Sequence, residues 1–268
     1  MGLLTLALAA STIPAFAMIQ GTKVNLDPTK TRPEIHPYIF GQFIEHMGRC
    51  IYGGIWAEML EDRKFFYPIT NEFKPFRALT NTDFPVLGAS PWEIVKGSVV
   101  MDAKEPFVGD HTPELKPETS IRQGHLGTVA GKEYVGYIWL KSTSGSPTVT
   151  VSFDGVEQTI KVKAGDYSKT PFKFKANTTS DKVTFTISVS GGGVKVGTAS
   201  IMPADNVRGM RRDTLGQLKD LGGTIYRWPG GNFVSGYDWR DGIGDRDRRP
   251  PRTNPAWGGL EHNDFGTD

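Results

Sequence analysis

The residues Tyr226 to Trp239, YRWPGGNFVSGYDW, hold the densest set of groups able to do chemistry in this chain. A short β-branched and aromatic run, Thr224 to Arg227, stops at Pro229, Gly230 and Gly231, which reads as a strand ending in a tight loop. The glycines let the backbone approach a ligand closely. Arg227, Trp228, Asn232, Tyr237 and Asp238 surround them with planar faces and forked polar groups, the types that recognise a sugar ring and its hydroxyls. A second candidate cluster lies upstream, where Glu45 and His46 follow the apolar run YIFGQF and lead into GRCIYGG at 48–54. Taken singly, Glu45-His46 reads as a solvated loop, Arg227-Trp228 as a structural ion pair beneath an aromatic lid, and Gly230-Gly231-Asn232 as an ordinary turn. Together they point to one site.

The elements that must hold these clusters fall into three stretches. In residues 18–89, Tyr38 to Phe43 reads as a strand, Gly48 to Gly54 as a loop, and Ile55 to Phe65 as an amphipathic helix. In residues 90–203 the texture changes to short alternating runs at 134–140, 148–153, 158–162, 172–175 and 183–189, separated by turns such as Ser144-Gly145-Ser146-Pro147. This spacing predicts an antiparallel β-sandwich without helices. In residues 204–268, Asp205 or Asn206 is placed to cap a helix whose apolar positions run from Val207 to Leu221, ended by Gly222-Gly223, with the strand 224–227 after it. The predicted fold is therefore α/β plus all-β: a parallel β/α layer interrupted by a sandwich.

With 268 residues, 38% hydrophobic and 22% charged, the chain is long enough for one large or two ordinary globular domains. A net charge of +2 gives no electrostatic reason to expect nucleic acid. The basic run Arg246 to Arg252 is diluted by Asp247 and two prolines and reads as a solvated loop. The single cysteine, Cys50, excludes an intrachain disulfide and reads as a small buried hydrophobe. Residues 1–17, MGLLTLALAASTIPAFA, read as a signal peptide cleaved after Ala17, too short to span a bilayer, which predicts a secreted or periplasmic protein.

The segments FGQFIEHMGRCIYGGIWAEML (40–60), RWPGGNFVSGYDWRDGIG (227–244), RPPRTNPAWGG (249–259) and EHNDFGTD (261–268) closely resemble the α-L-arabinofuranosidases of glycoside hydrolase family 51. The middle stretch resembles, in texture, the jelly-roll carbohydrate-binding modules inserted near the N-terminus of some members, which implies a jelly-roll-like sandwich. The resemblance implies the first units of a (β/α)8 TIM barrel interrupted by that insert. It also implies a retaining exo-acting mechanism with two carboxylates about 5–5.5 Å apart, no metal or organic cofactor, and an arabinose-containing plant polysaccharide such as arabinoxylan or arabinan as partner. No membrane partner is implied, and oligomerisation of the full-length protein is left open.

By the same resemblance the acid/base and the nucleophile lie beyond Asp268, so no catalytic carboxylate is expected in this chain. Asn71-Glu72 lacks a preceding buried strand and reads as a surface loop, and Glu261 occupies a loop position. The sugar-binding residues implied are Glu45 and Asn232 on opposite walls, Arg227 beneath the sugar, Trp257 on the rim, and Cys50, Tyr52 and Gly53 shaping the first loop. The stretches 18–89 and 204–268 hold far fewer residues than the about 250 of a complete barrel, so a truncated, inactive portion is expected. Two other readings stay open. One is a non-catalytic polysaccharide-binding protein, with Trp92, Tyr134, Tyr137 and Trp139 as stacking candidates if they are not sandwich core. The other is a different hydrolase of the same clan.

Overall fold

The computed structural model describes residues 23–79 and 82–268. The expected signal segment lies outside the described residues. Two units are present. Residues up to His36 form one, exposed throughout its described part, and Pro37–Asp268 form the other. The second unit is mostly β-structure with one α-helix.

Its strands are β1 (Gln42–Phe43), β2 (Phe76–Leu79), β3 (Thr82–Leu87), β4 (Glu93–Lys96), β5 (Val99–Asp102), β6 (Thr112–Leu115), β7 (Ser120–Thr128), β8 (Glu133–Phe153), β9 (Val156–Lys161), β10 (Ser168–Lys175) and β11 (Ser180–Pro203). The helix α1 (Arg212–Asp220) follows, then β12 (Tyr226–Arg227), β13 (Arg252–Thr253) and β14 (Leu260–Glu261).

Strands β4–β11 form one antiparallel sheet of eight strands, folded into two layers. One layer runs β4–β7–β11–β8–β9 and the other β10–β8–β11–β6–β5. The long strands β8 and β11 belong to both. They turn the corner together where the register slips between Ser190 and Gly192 and between Gly193 and Val194. Glycine is required there: a Cβ on Gly192 would lie 2.1 Å from the Ser144 carbonyl oxygen. The layers close face to face on aromatic pairs, with Tyr134 against Phe153 at 5.3 Å and Phe172 against Phe185 at 5.7 Å between ring centroids. Alternation sends Val149, Val151 and Phe153 inward from β8, opposite Val189, Ile187 and Phe185 of β11.

The five alternating runs predicted in the middle stretch fall on strands, with only Val162 left beyond the end of β9, and no helix occurs there. The two longest strands exceed the prediction because 134–140 and 148–153 are halves of one bent strand. Trp92 and Tyr134 are core, with 1% and 2% exposure.

Three local expectations are corrected. Ile55 to Phe65 is not a helix. Its backbone bonds outward instead: Ala57 N–H donates to the Gly209 carbonyl and Met59 N–H to that of Ile201. The Glu58 carboxylate accepts from Met59, Leu60 and Ile201 N–H groups and from Ser200 Oγ. Tertiary partners thus replace the helical ladder, and Ile55, Trp56, Leu60 and Phe65 become buried at irregular spacing. The strand expected over 38–43 shrinks to β1, because Pro37–Phe40 winds into a 3-10 turn. The helix expected from Asp205 or Asn206 starts only at Arg212, since Val207 and Met210 pair with each other in a tight turn.

β1 pairs with β12 in parallel, Gln42 opposite Tyr226 and Phe43 opposite Arg227. The strand–helix–strand order thus yields the parallel pairing it predicts. Among the described residues no helix is long and apolar enough to cross a membrane.

Candidate active site

The pairing of β1 with β12 carries the two sequence clusters to one place. Ile44 N–H donates to the Arg227 carbonyl at 2.8 Å, so Glu45 and His46 emerge beside Trp228–Phe233. Gly230 adopts φ +112° and lies flat on Glu45; a Cβ there would sit 2.4 Å from the Glu45 Cβ. This close approach is why the loop needs glycine.

The Glu45 carboxylate accepts from the Phe233 N–H at 2.9 Å and the Trp257 Nε1–H at 3.3 Å. The Phe233 amide, against the opposing effect of burial, leads the set of donors that holds its carboxyl below the usual range, with Trp257, Gly231 and Asn232 adding to it. Successive backbone N–H groups converging on one anion form an electropositive concavity. Glu45 is therefore an ionised acceptor, suited to taking hydrogen bonds from hydroxyls.

His46 is the hidden half of the site. Its Nδ1 lies 2.7 Å from Glu261 Oε2, and Trp228 Nε1–H donates to its Nε2 at 3.1 Å. An indole can only donate, so Nε2 accepts and Nδ1 carries the hydrogen that Glu261 receives. The ring stacks on Phe233 at 4.4 Å and 13°. Glu261 also accepts from the Tyr52 hydroxyl and the Asn263 N–H. Asn254 closes the arrangement. Its Nδ2 donates to the His46 carbonyl, and its Oδ1 accepts from Ala256 and Trp257 N–H groups, which sets the indole of Trp257 against Glu45.

A buried ionic knot ties this loop assembly to the sandwich. Arg63 donates to both Asp264 oxygens at 2.7 Å, to Asp247 at 3.0 Å and to Thr198 of β11 at 2.9 Å. Lys64 meets Asp264 at 2.9 Å. Asp247 accepts from Tyr137 and Trp139 of β8 and from Lys169 of β10. Burial, the largest single effect, would raise both aspartates, but Arg63 together with the hydrogen bonds and cations around each outweighs it and holds both well below the usual carboxylate range.

The structure brings together Glu45, the backbone of Asn232 and the indole of Trp257. The Asn232 side chain stands exposed and makes no bond to the described residues. Tyr52 lies one layer back, on Glu261. Arg227 is exposed, its guanidinium 5.3 Å over the Phe43 ring rather than against Glu45. Gly53 is exposed at φ +79°. Cys50 is exposed, which corrects the expectation of a buried hydrophobe: the loop turns it outward while Ile51 takes the core position. Asn71 and Glu72 are exposed, as a surface loop would be. Tyr137 and Trp139 are half-buried and spend their polar atoms on Asp247. Sequence reasoning missed Asn254 as an organiser; the signal was the Asn254-Pro255 dipeptide, a turn initiator.

Residues 217–268 match the family model described as "Alpha-L-arabinofuranosidase 1 domain". The chain is 52% identical over 64 residues to an exo-α-(1→6)-L-arabinofuranosidase of Bifidobacterium longum, covering 24% of this chain and 12% of that protein. It is 48% identical over 77 residues to an intracellular exo-α-L-arabinofuranosidase of Bacteroides ovatus, covering 28% and 15%. The match thus spans about an eighth of the length of these relatives. Among solved structures, a CBM4 module covers 53% of this chain and 98% of its own at 14% identity and TM-score 0.36. TmCBM61 in complex with β-1,4-galactotriose covers 55% and 98% at 18% identity and TM-score 0.35. Likenesses that loose carry no argument, and the sandwich stands on its own strand register. The resemblance read from the sequence is borne out over residues 217–268: the segment bearing the Pro-Gly-Gly-Asn loop, Trp257 and Glu261 is the one that matches the arabinofuranosidase family model.

Proposed function

We propose that this chain is the arabinofuranose-recognising portion of a retaining, exo-acting α-L-arabinofuranosidase, secreted or periplasmic, acting on arabinoxylan or arabinan. The observation that carries the reading is the convergence on Glu45. Phe233 and Trp257, 188 and 212 residues along the chain from it, both donate to it. An ionised acceptor beside an exposed Asn232 amide and a partly exposed indole suits a small polyhydroxylated ring. The parallel pair β1–β12, with functional residues at its C-terminal end, supports reading it as two neighbouring strands of a TIM barrel that the sandwich interrupts. By the family resemblance the acid/base and nucleophile lie beyond Asp268, so this chain alone is expected to bind without turnover and to need no cofactor.

The test is calorimetric titration with methyl α-L-arabinofuranoside, beside an assay on p-nitrophenyl arabinofuranoside. Glu45→Gln should weaken binding roughly tenfold, with no turnover by either protein. Unchanged affinity in Glu45→Gln sinks the pocket assignment. Turnover by the purified chain that Glu45→Gln abolishes sinks the expected inactivity. The aromatic residues considered for a purely polysaccharide-binding role lie in the core or on Asp247, which argues against that alternative.

A further inference from the structure

A second cavity, of about 560 Å³, lies between the loop 49–61, the β7–β8 turn and the start of α1. Its size falls within the roughly 300–1,000 Å³ range of small-molecule sites. Two side chains on its wall leave polar atoms without a hydrogen-bond partner among the described residues, and in Trp56 that atom is itself buried. The Trp56 side chain is 3% exposed and its Nε1–H has no hydrogen-bond acceptor. His262 is 6% exposed, and its ring packs on Tyr52 at 4.7 Å without hydrogen-bonding any described residue. An unpartnered buried donor such as the Trp56 Nε1–H is rare, and a ligand is one thing that satisfies it. Burial pushes the His262 imidazole down, against the pull of Asp264, so near neutral pH it offers one donor and one acceptor.

The rim narrows the ligand class. Arg49 pairs with Glu61, Arg211 with Asp213 and Lys132 with Asp205. The fourth cation of the lining, Arg212, donates to the Asp205 carbonyl, and Glu58 and Asp264 add carboxyl groups, so the mouth mixes both signs and gives a charged ligand little advantage. A hydroxyl, which both donates and accepts, complements an indole N–H next to a neutral imidazole.

We propose that the cavity lined by Trp56 and His262 is a second binding site, separate from the Glu45 pocket, for a short neutral oligosaccharide. Tyr52 stands between the two sites. Its hydroxyl bonds Glu261 and its ring packs on His262. The inference does not depend on the arabinofuranosidase reading.

The experiment is a two-dimensional NMR titration of the indole N–H signals of the whole chain with arabinotriose and with xylotriose, using galacturonate and sulfate as charged comparators. Trp56→Phe assigns the Trp56 signal. The expected result is a saturable Trp56 shift with a neutral trisaccharide. His262→Phe, which keeps a ring on Tyr52 but removes both nitrogens, should weaken it roughly tenfold. Glu45→Gln should leave it unchanged while moving the titration of the Trp228 and Trp257 signals to roughly tenfold higher sugar concentration. If His262→Phe fails to fold, the ligand-side saturation-transfer signal surviving in Glu45→Gln should drop in the Glu45→Gln/Trp56→Phe double variant. Three outcomes overturn the site: no Trp56 shift with either trisaccharide, a Trp56 shift lost in Glu45→Gln, or a shift produced only by the charged comparators.

Discussion

His46 Nδ1 and Glu261 Oε2 stand 2.7 Å apart with side chains 1% and 2% exposed, although 215 residues separate them in sequence. The whole sandwich lies between them in the chain. This bond therefore closes the site loops into one structure, and His46 passes the constraint on to Trp228.

His46→Ala should remove a bond to a buried carboxylate and a stacking partner of Phe233 together. The expected loss is about 2–4 kcal/mol. Urea unfolding followed by tryptophan fluorescence measures it. A change under about 0.5 kcal/mol, the range of ordinary surface substitutions, would show that the pair does not hold the loops.

Gly230→Ala tests the loop that opened the sequence reading. At φ +112° an L side chain is strained, and the new Cβ would meet Glu45 at 2.4 Å. The backbone cost alone is of order 1–3 kcal/mol. The clash is with a side chain held by the Phe233 amide, so Glu45 should shift as well. A melting temperature within 1 °C of the parent, with unchanged methyl arabinofuranoside affinity, would contradict this.

How much of this was legible beforehand follows from the range of the interactions. Alternation marks Tyr134 and Ile138 as inward-facing on its own, because period two is local. The bent strands β8 and β11 were not legible, since glycines at 145 and 191–193 read as turns in isolation and become corners only when the two strands pair. Residues 55–65 carry a helical pattern that loses to Glu58 and its sandwich partners, contacts no local signal reveals. Glu45, Asn232 and Trp257 were readable from a family resemblance. The roles of Asn254 and Arg63 were not, because each depends on where distant loops come together.

Phe153→Ala should separate the sandwich from the site loops energetically. Phe153 is fully buried, contacts Tyr134 and Phe174, and has no polar role. Its truncation should cost about 3–5 kcal/mol. The site loops are tied to the sandwich through Arg63 and Asp247, so both should unfold in a single step. Two resolved transitions in calorimetry would show that the knot does not couple them.

The same knot sets a pH dependence. Arg63 holds Asp247 and Asp264 ionised well below the usual carboxylate range. A depressed folded-state pKa contributes stability that is fully present above the unfolded value of about 3.9 and disappears as pH falls through the folded one. Glu58 works the other way. Burial lifts its carboxyl to about 7 despite Arg63, so its effect is to lower stability as pH rises from about 4.3 to 7. The two effects occupy different windows, and a difference curve separates them. Asp247→Asn removes one buried carboxylate and leaves Arg63 with Asp264, so the variant should lose about 3 kcal/mol at pH 7. The gap to the parent should narrow steadily below about pH 4, where Asp247 takes up a proton in the unfolded parent while the folded protein still holds it ionised. Urea midpoints from pH 7 down to pH 2 give the curve. A gap that stays constant over that range would mean Asp247 is not held ionised by Arg63, and the electrostatic account of the knot would fall with it.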